Sequence, residues 1–370
     1  THVHPDHSGS ALELAQAYSE HAPAMTLIPY FARGAQYAQK SFEIRKSLGD
    51  LWGQGQSLAY HSVVLYVGSR YSECVEKARE GIRLLERMGD LWEVHIARYQ
   101  LAAALYRMGD LQAAIATSRR NYESGLKLGD KQASGISLDV WARAAIGKIP
   151  KEIINVEMSR HREDAQGTAQ TMLGGGVRLL FADQVEEAAG LFAAAFNIAV
   201  RAGVLNAYVT PNLAWLATAR RLLLQRYTGH LLPRRRELLC QAERAARQAV
   251  WLARRFQNDL PHALRELGLL QIMRGRTRAG LRSLEKSMSK AMRQGARYEL
   301  AQSRLAYWQT AAELNRPEAA ANSAAALVEM RALELLSRSG DSEFAELACK
   351  ATLSLADRFD TVLDAGRRIA

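Results

Sequence analysis

The chain has 370 residues, 48% hydrophobic and 24% charged, with a formal net charge of +11 and three cysteines. That balance excludes a mostly disordered chain. Cys74, Cys240 and Cys349, each more than 100 residues from the next, exclude a disulfide framework and any CxxC metal knuckle.

Residues 1–10 read as a flexible start or the end of a preceding domain. His2, His4 and His7 lie close together there, but a flexible segment explains them better than a metal site. No basic region precedes an apolar core, so a signal peptide is not expected. From residue 11 onward the pattern is helical. Gly-Asp occurs at 49–50, 89–90, 109–110 and 129–130, each time after one amphipathic stretch and before another. Glycine takes the left-handed conformation that ends a helix, and aspartate caps the next one. The glycines at 49, 89 and 129 lie 40 residues apart, with Gly109 half a period between two of them. The unit is therefore a helix hairpin of about 40 residues.

Hairpins are expected at 11–48, 51–88 and 91–128, forming an N-terminal block 11–130. Residues 131–164 read as an irregular helical insert, with one clear helix at 133–146 and a short polar one after Pro150. A C-terminal block, 165–336, supplies pairs at 165–202, 204–257, 259–294 and 296–336, with an inserted loop at 227–236. Residues 337–370 read as terminal helices leading toward a following domain. The chain starts at Thr1 and stops inside a helical pattern at Ala370, so an excised fragment is expected. No window alternates polar and apolar residues with a β-branched bias.

Unit 91–130 is close to a tetratricopeptide repeat. Leu101, Ala102 and Leu105 line its first helix, Gly109-Asp110 turn the chain, and Ala114-Ile115 open the packed face of the second. Small residues recur where two helices must nest: Gly34, Cys74, Ala188 and Gly280 in second helices, and Ser62, Gly176 and Gly268 in first helices. The expected fold is all-α, a right-handed superhelical solenoid of tetratricopeptide-like hairpins with a period near 40 residues. Such arrays normally bind partners on an extended concave surface.

The stretches 19–25, 49–57, 83–94 and 129–137 resemble the tetratricopeptide-like region of very large bacterial signalling proteins. In that family a Ser/Thr protein kinase and a STAND-type ATPase precede the array, and a GAF domain and a histidine kinase often follow. The segment 359–370 resembles the helix leading into the GAF domain. The resemblance covers roughly 11–370 and implies a non-catalytic sensor arm; the cysteine usage suits a reducing cytoplasm. It brings no catalytic residue onto this chain.

Chemistry of the chain's own is not expected. The glycine cluster Gly174-Gly175-Gly176 lacks the lysine and hydroxyl residue of a phosphate-binding loop, and reads as helix packing. Kinase signatures and a GxSxG elbow are absent. His61 and His95 lack partners at ligand spacing and read as packing or surface residues. Cys74 reads as a buried, inert thiol. The tryptophans at 52, 92, 141, 215, 251 and 308 read as core. No cofactor or metal is expected, and neither is a membrane span, since the longest uncharged runs, 52–69 and 202–219, carry polar residues.

Charge is the remaining signal. Residues 1–217 are neutral overall, 218–310 carry +14, and 311–370 carry −3. Arg220, Arg221, Arg234, Arg235, Arg236, Arg274, Arg276 and Arg278 are the expected partner-binding residues, with Arg244, Arg247, Arg254, Arg255 and Arg282 extending the stripe. Three readings stay open: a solvated face, docking to an acidic domain of the parent or a partner protein, and nucleic-acid association through 218–310. No nucleic-acid-binding motif accompanies the charge, and no aromatics are spaced to stack bases. A protein segment, neighbouring domains of the parent or a small-molecule effector are the expected partners.

Overall fold

The structure is a computed structural model that describes residues 8–227 and 232–336. The expected terminal helices at 337–370, Cys349 and the N-terminal histidines at 2, 4 and 7 lie outside the described residues. The described residues form antiparallel helix pairs in series, with no strand among them. The first three pairs are α1 (Ser8–Ala24) with α2 (Phe31–Ser47), α3 (Leu51–Val67) with α4 (Tyr71–Met88), and α5 (Leu91–Met108) with α6 (Leu111–Leu128). Then come α7 (Lys131–Ala144) with the nine-residue α8 (Lys151–Ser159), and α9 (Ala165–Phe181) with α10 (Val185–Arg201). The last three are α11 (Pro211–Arg226) with α12 (Leu232–Ala253), α13 (Leu260–Met273) with α14 (Thr277–Gln294), and α15 (Arg297–Glu313) with α16 (Ala319–Leu336). A single 3-10 turn, Gln257–Asp259, leads into α13. Each helix packs on its sequence neighbour, and odd-numbered helices pack on the next odd-numbered helix. That is a helical solenoid.

The Gly-Asp junctions do what the sequence demands. Gly49, Gly89, Gly109 and Gly129 all have positive φ. Asp50, Asp90, Asp110 and Asp130 each accept a backbone N–H three residues on, at 2.9 to 3.2 Å. First helices therefore start at Leu51, Leu91 and Lys131, 40 residues apart. Elsewhere Ser69, Asp183 and Asn315 carry the same left-handed turn, as small polar residues tolerate it best after glycine. The loop expected at 227–236 is shorter than anticipated, because α12 starts at Leu232. Proline is compatible with a helix's first turn, so Pro233 and Arg234–Arg236 open α12.

The solenoid closes on itself. Helix α15 packs on α5, α16 on α6, and the 3-10 turn on α3, so each contact joins hairpins five apart. The nucleus is one continuous apolar cluster running from α3 to α16, with Trp141 and Phe192 fully buried within it. Glycines permit the closest approaches. A Cβ at Gly174 would lie 2.8 Å from the Leu138 carbonyl oxygen, and one at Gly176 would lie 2.4 Å from the Phe192 ring. The triplet thus seats α9 against α7 and α10. Gly174→Ala is expected to destabilise the chain by about 1–3 kcal/mol in urea denaturation. Gly190→Ala on α10, where an added Cβ meets nothing within 4 Å, is expected to be neutral or slightly stabilising.

Candidate functional site

The inner face, where an open concave groove was expected, is occupied by the chain's own side chains. Arg107 on α5 is 1% exposed and donates to Asp259 at 2.8 Å and to Glu299 on α15 at 3.5 Å. Arg265 on α13 donates to the other oxygen of Glu299 at 2.6 Å. Burial alone would weaken the charged form of Arg107, yet Asp259 and its other neighbours hold its pKa well above the usual value. Around this centre Tyr106 meets Tyr298 edge-on and Tyr66 stacks on Tyr208. Asn258 donates to the Tyr66 carbonyl at 2.8 Å. These groups bond one turn of the solenoid to the next, which consumes the surface that open arrays of this kind offer to partners.

The basic segment divides into paired and unpaired arginines. Arg221 is tied to Glu266 at 2.6 Å, Arg274 to Glu243, and Arg234 to its helix neighbour Glu237. Arg220 donates to the Gln241 carbonyl at 3.1 Å, joining α11 to α12. Arg235, Arg236, Arg276 and Arg278 are exposed. The outward face of α12 also carries Arg244 and Arg247, and Arg254 follows directly after its last residue; all three are exposed and without an ion pair among the described residues. Between Arg247 and Arg254 on that face lies Trp251, 69% exposed. Core placement expected for all six tryptophans therefore fails at Trp251, and at Trp92, which is 58% exposed. Tryptophan and arginine are both residue types enriched at interaction hot spots.

A second feature lies on α4, α5 and α6. A groove of about 690 Å³ separates α4 from α6. Its apolar floor is Val75, Ile82 and Leu101. Arg79 and Arg83 rise on α4, Arg120 on α6, and Arg98 lies beneath them on α5. The acids of the groove are Glu76 and Glu86. A single oxygen of Glu86 accepts from both Arg98 and Arg120, at 2.6 and 2.8 Å. Sequence reasoning passed over these arginines, because they sit in the half of the chain whose charges sum to zero.

One constellation has the connectivity of a hydrolase triad. His95 on α5 bonds Asp130 through Nδ1 and Ser124 through Nε2, both at 2.8 Å. The sequence reading left His95 without a partner, since its two partners lie 29 and 35 residues away. Ser124 lies inside α6, where the neighbouring N–H groups are spent on the helix ladder and none is left to hold an oxyanion. Asp130 meanwhile caps α7. The bonds therefore tie α5, α6 and the α7 cap together. Cys74 is fully buried, its thiol directed at the Ser62 carbonyl, and burial pushes its pKa up. Among the described residues no cluster of His, Cys, Asp and Glu has metal-site geometry. No described helix is long and apolar enough to cross a membrane.

No family model matches the chain, and no curated protein matches it. Among solved structures, it is similar to a circular tandem repeat protein with novel repeat topology and enhanced subunit contact surfaces. That likeness covers 89% of this chain and 86% of the other, at 15% identity and a TM-score of 0.22. What the helices themselves define is a helical-repeat scaffold of the kind suited to protein interaction.

Proposed function

We propose that the chain is a non-catalytic interaction and regulatory module of a multidomain bacterial signal-transduction protein with kinase and ATPase domains. On this reading the basic face of α12 and the start of α14 docks an acidic surface of a neighbouring domain or partner protein. The observation that carries the docking is Trp251, 69% exposed within the row Arg244, Arg247 and Arg254. Arg234, Arg235 and Arg236 at the start of α12, Arg276 at the cap of α14 and Arg278 within it extend the field, while Arg220, Arg221 and Arg274 are held by Gln241, Glu266 and Glu243. The kinase and ATPase context rests on the sequence resemblance. The cytoplasm as its compartment rests on the cysteine usage.

Intact mass of the native polypeptide tests the context: a species far above 41.0 kDa is expected, and one near that mass would leave a free-standing adaptor. Titration of the chain against the flanking domains of the parent tests the face. Trp251→Ala is expected to weaken binding about tenfold or more, and the triple change of Arg234, Arg235 and Arg236 to Ala by a similar factor. The same variants titrated with a single-stranded oligonucleotide address nucleic-acid association, favoured as a second reading by the tryptophan among arginines. That reading requires affinity falling steeply as salt rises; a flat salt response rules it out.

A further inference from the structure

The groove between α4 and α6 holds an incompletely satisfied guanidinium. The Arg98 side chain is 5% exposed. Its Nη2 is bonded to Glu86, but its Nη1 is buried without a hydrogen-bond partner. A buried charge-bearing donor left open is costly, and burial, with Arg120 adding repulsion, pulls the Arg98 pKa down despite the Glu86 bond. Glu86 is a partial answer at most. It offers one oxygen to two arginines and stays 31% exposed. Above it, Arg79 and Arg83 are exposed and unpaired among the described residues. Four arginines against two glutamates leave the groove positive.

We propose that this groove docks an acidic peptide segment: a ligand carboxylate displaces Glu86 and engages Arg98 and Arg120 with both oxygens, while an apolar side chain covers Val75, Ile82 and Leu101. Two features select a peptide over a free anion. The floor is apolar, which an inorganic anion would leave uncovered. The wall from Ser72 to Glu86 runs 14 residues along α4, about 21 Å at the helical rise, long enough for several residues of a bound chain. Two-oxygen carboxylate recognition is also what a guanidinium fork does best. The site lies on α4 to α6 and is independent of the basic face of α12.

The test is fluorescence anisotropy with a fluorescein-labelled peptide of alternating Glu and Leu, beside its counterpart with Gln in place of Glu. The Glu peptide is expected to bind about tenfold tighter than the Gln peptide. Arg79→Gln with Arg83→Gln, both solvent-exposed, is expected to lower affinity about tenfold without changing the thermal melt. Glu86→Gln is expected to raise affinity several-fold, because the internal competitor has lost its charge; a purely structural role for Glu86 would lower it. The triple alanine change at Arg234, Arg235 and Arg236 is expected to leave this binding unchanged. Equal binding of the two peptides, or weaker binding by Glu86→Gln, would overturn the proposal. A probe displaced by inorganic phosphate as readily as by unlabelled peptide would overturn it in favour of a free-anion site.

Discussion

Arg107→Met is expected to cost about 3–5 kcal/mol of stability, because it leaves two buried carboxylates without their shared cation. Asp259 and Glu299 are 1% and 2% exposed, so water cannot replace the lost donor. The change acts between turns of the solenoid, since Arg107 lies 152 residues before Asp259 and 192 before Glu299. Hairpins five apart should therefore lose their mutual support, and urea unfolding should separate into two transitions instead of one. Arg226→Met, which removes an exposed pair with Asp183, is the control and should cost less than about 1 kcal/mol. Equal effects of the two changes would mean that the centre is not bonded as described.

Acid should loosen the same centre. Burial first, and then Arg265, push the His262 pKa down to about 4, against the pull of Glu299, Glu266 and Asp259. Its ring donates to or accepts from Thr218 at 2.8 Å and stands edge-on to Trp215. Burial would raise Glu299, but Arg265, His262 and Arg107 hold it down to about 2. Both folded values lie below the unfolded ones, so the unfolded chain binds more protons and stability rises with pH. The His262 contribution is present above about pH 6.5 and is lost on acidification toward 4; that of Glu299 is lost between about 4.5 and 2. The urea midpoint should be lower at about pH 4 than at about pH 7 through the His262 contribution, and His262→Gln should flatten that fall. A wild-type midpoint unchanged between those two pH values would contradict the assignment.

The hairpins were legible because their junctions are local. Gly-Asp at 49–50, 89–90, 109–110 and 129–130 states a left-handed turn and a cap within two residues, and the structure builds both. Where Ser69, Asp183 or Asn315 makes the turn, the left-handed position is not a glycine followed by a capping aspartate, and the period blurs. Closure of the solenoid was not legible. It depends on Arg107, Asp259 and Glu299 meeting across most of the chain, and no local pattern encodes which charges will face one another. The sequence reading drew on net charge, which pointed to 218–310 and passed over Arg79, Arg83, Arg98 and Arg120. Those four are gathered by three helices from a stretch with no net charge. Exposure of Trp251 was missed for a related reason. An apolar residue on an amphipathic helix is assigned to the core by default, and only the packing of α12 against α11 and α13 turns position 251 outward.

The closure of one turn onto the next is the central structural claim, and a double-mutant cycle between Arg107 and Asp259 measures it directly. Stability in urea would be determined for the wild type, Arg107→Met, Asp259→Asn and the double variant. Residues bonded at 2.8 Å should be coupled by about 1.5 kcal/mol or more, with the double variant far less damaged than the two single losses combined. Additive losses, within about 0.5 kcal/mol, would place the two side chains apart and the solenoid open.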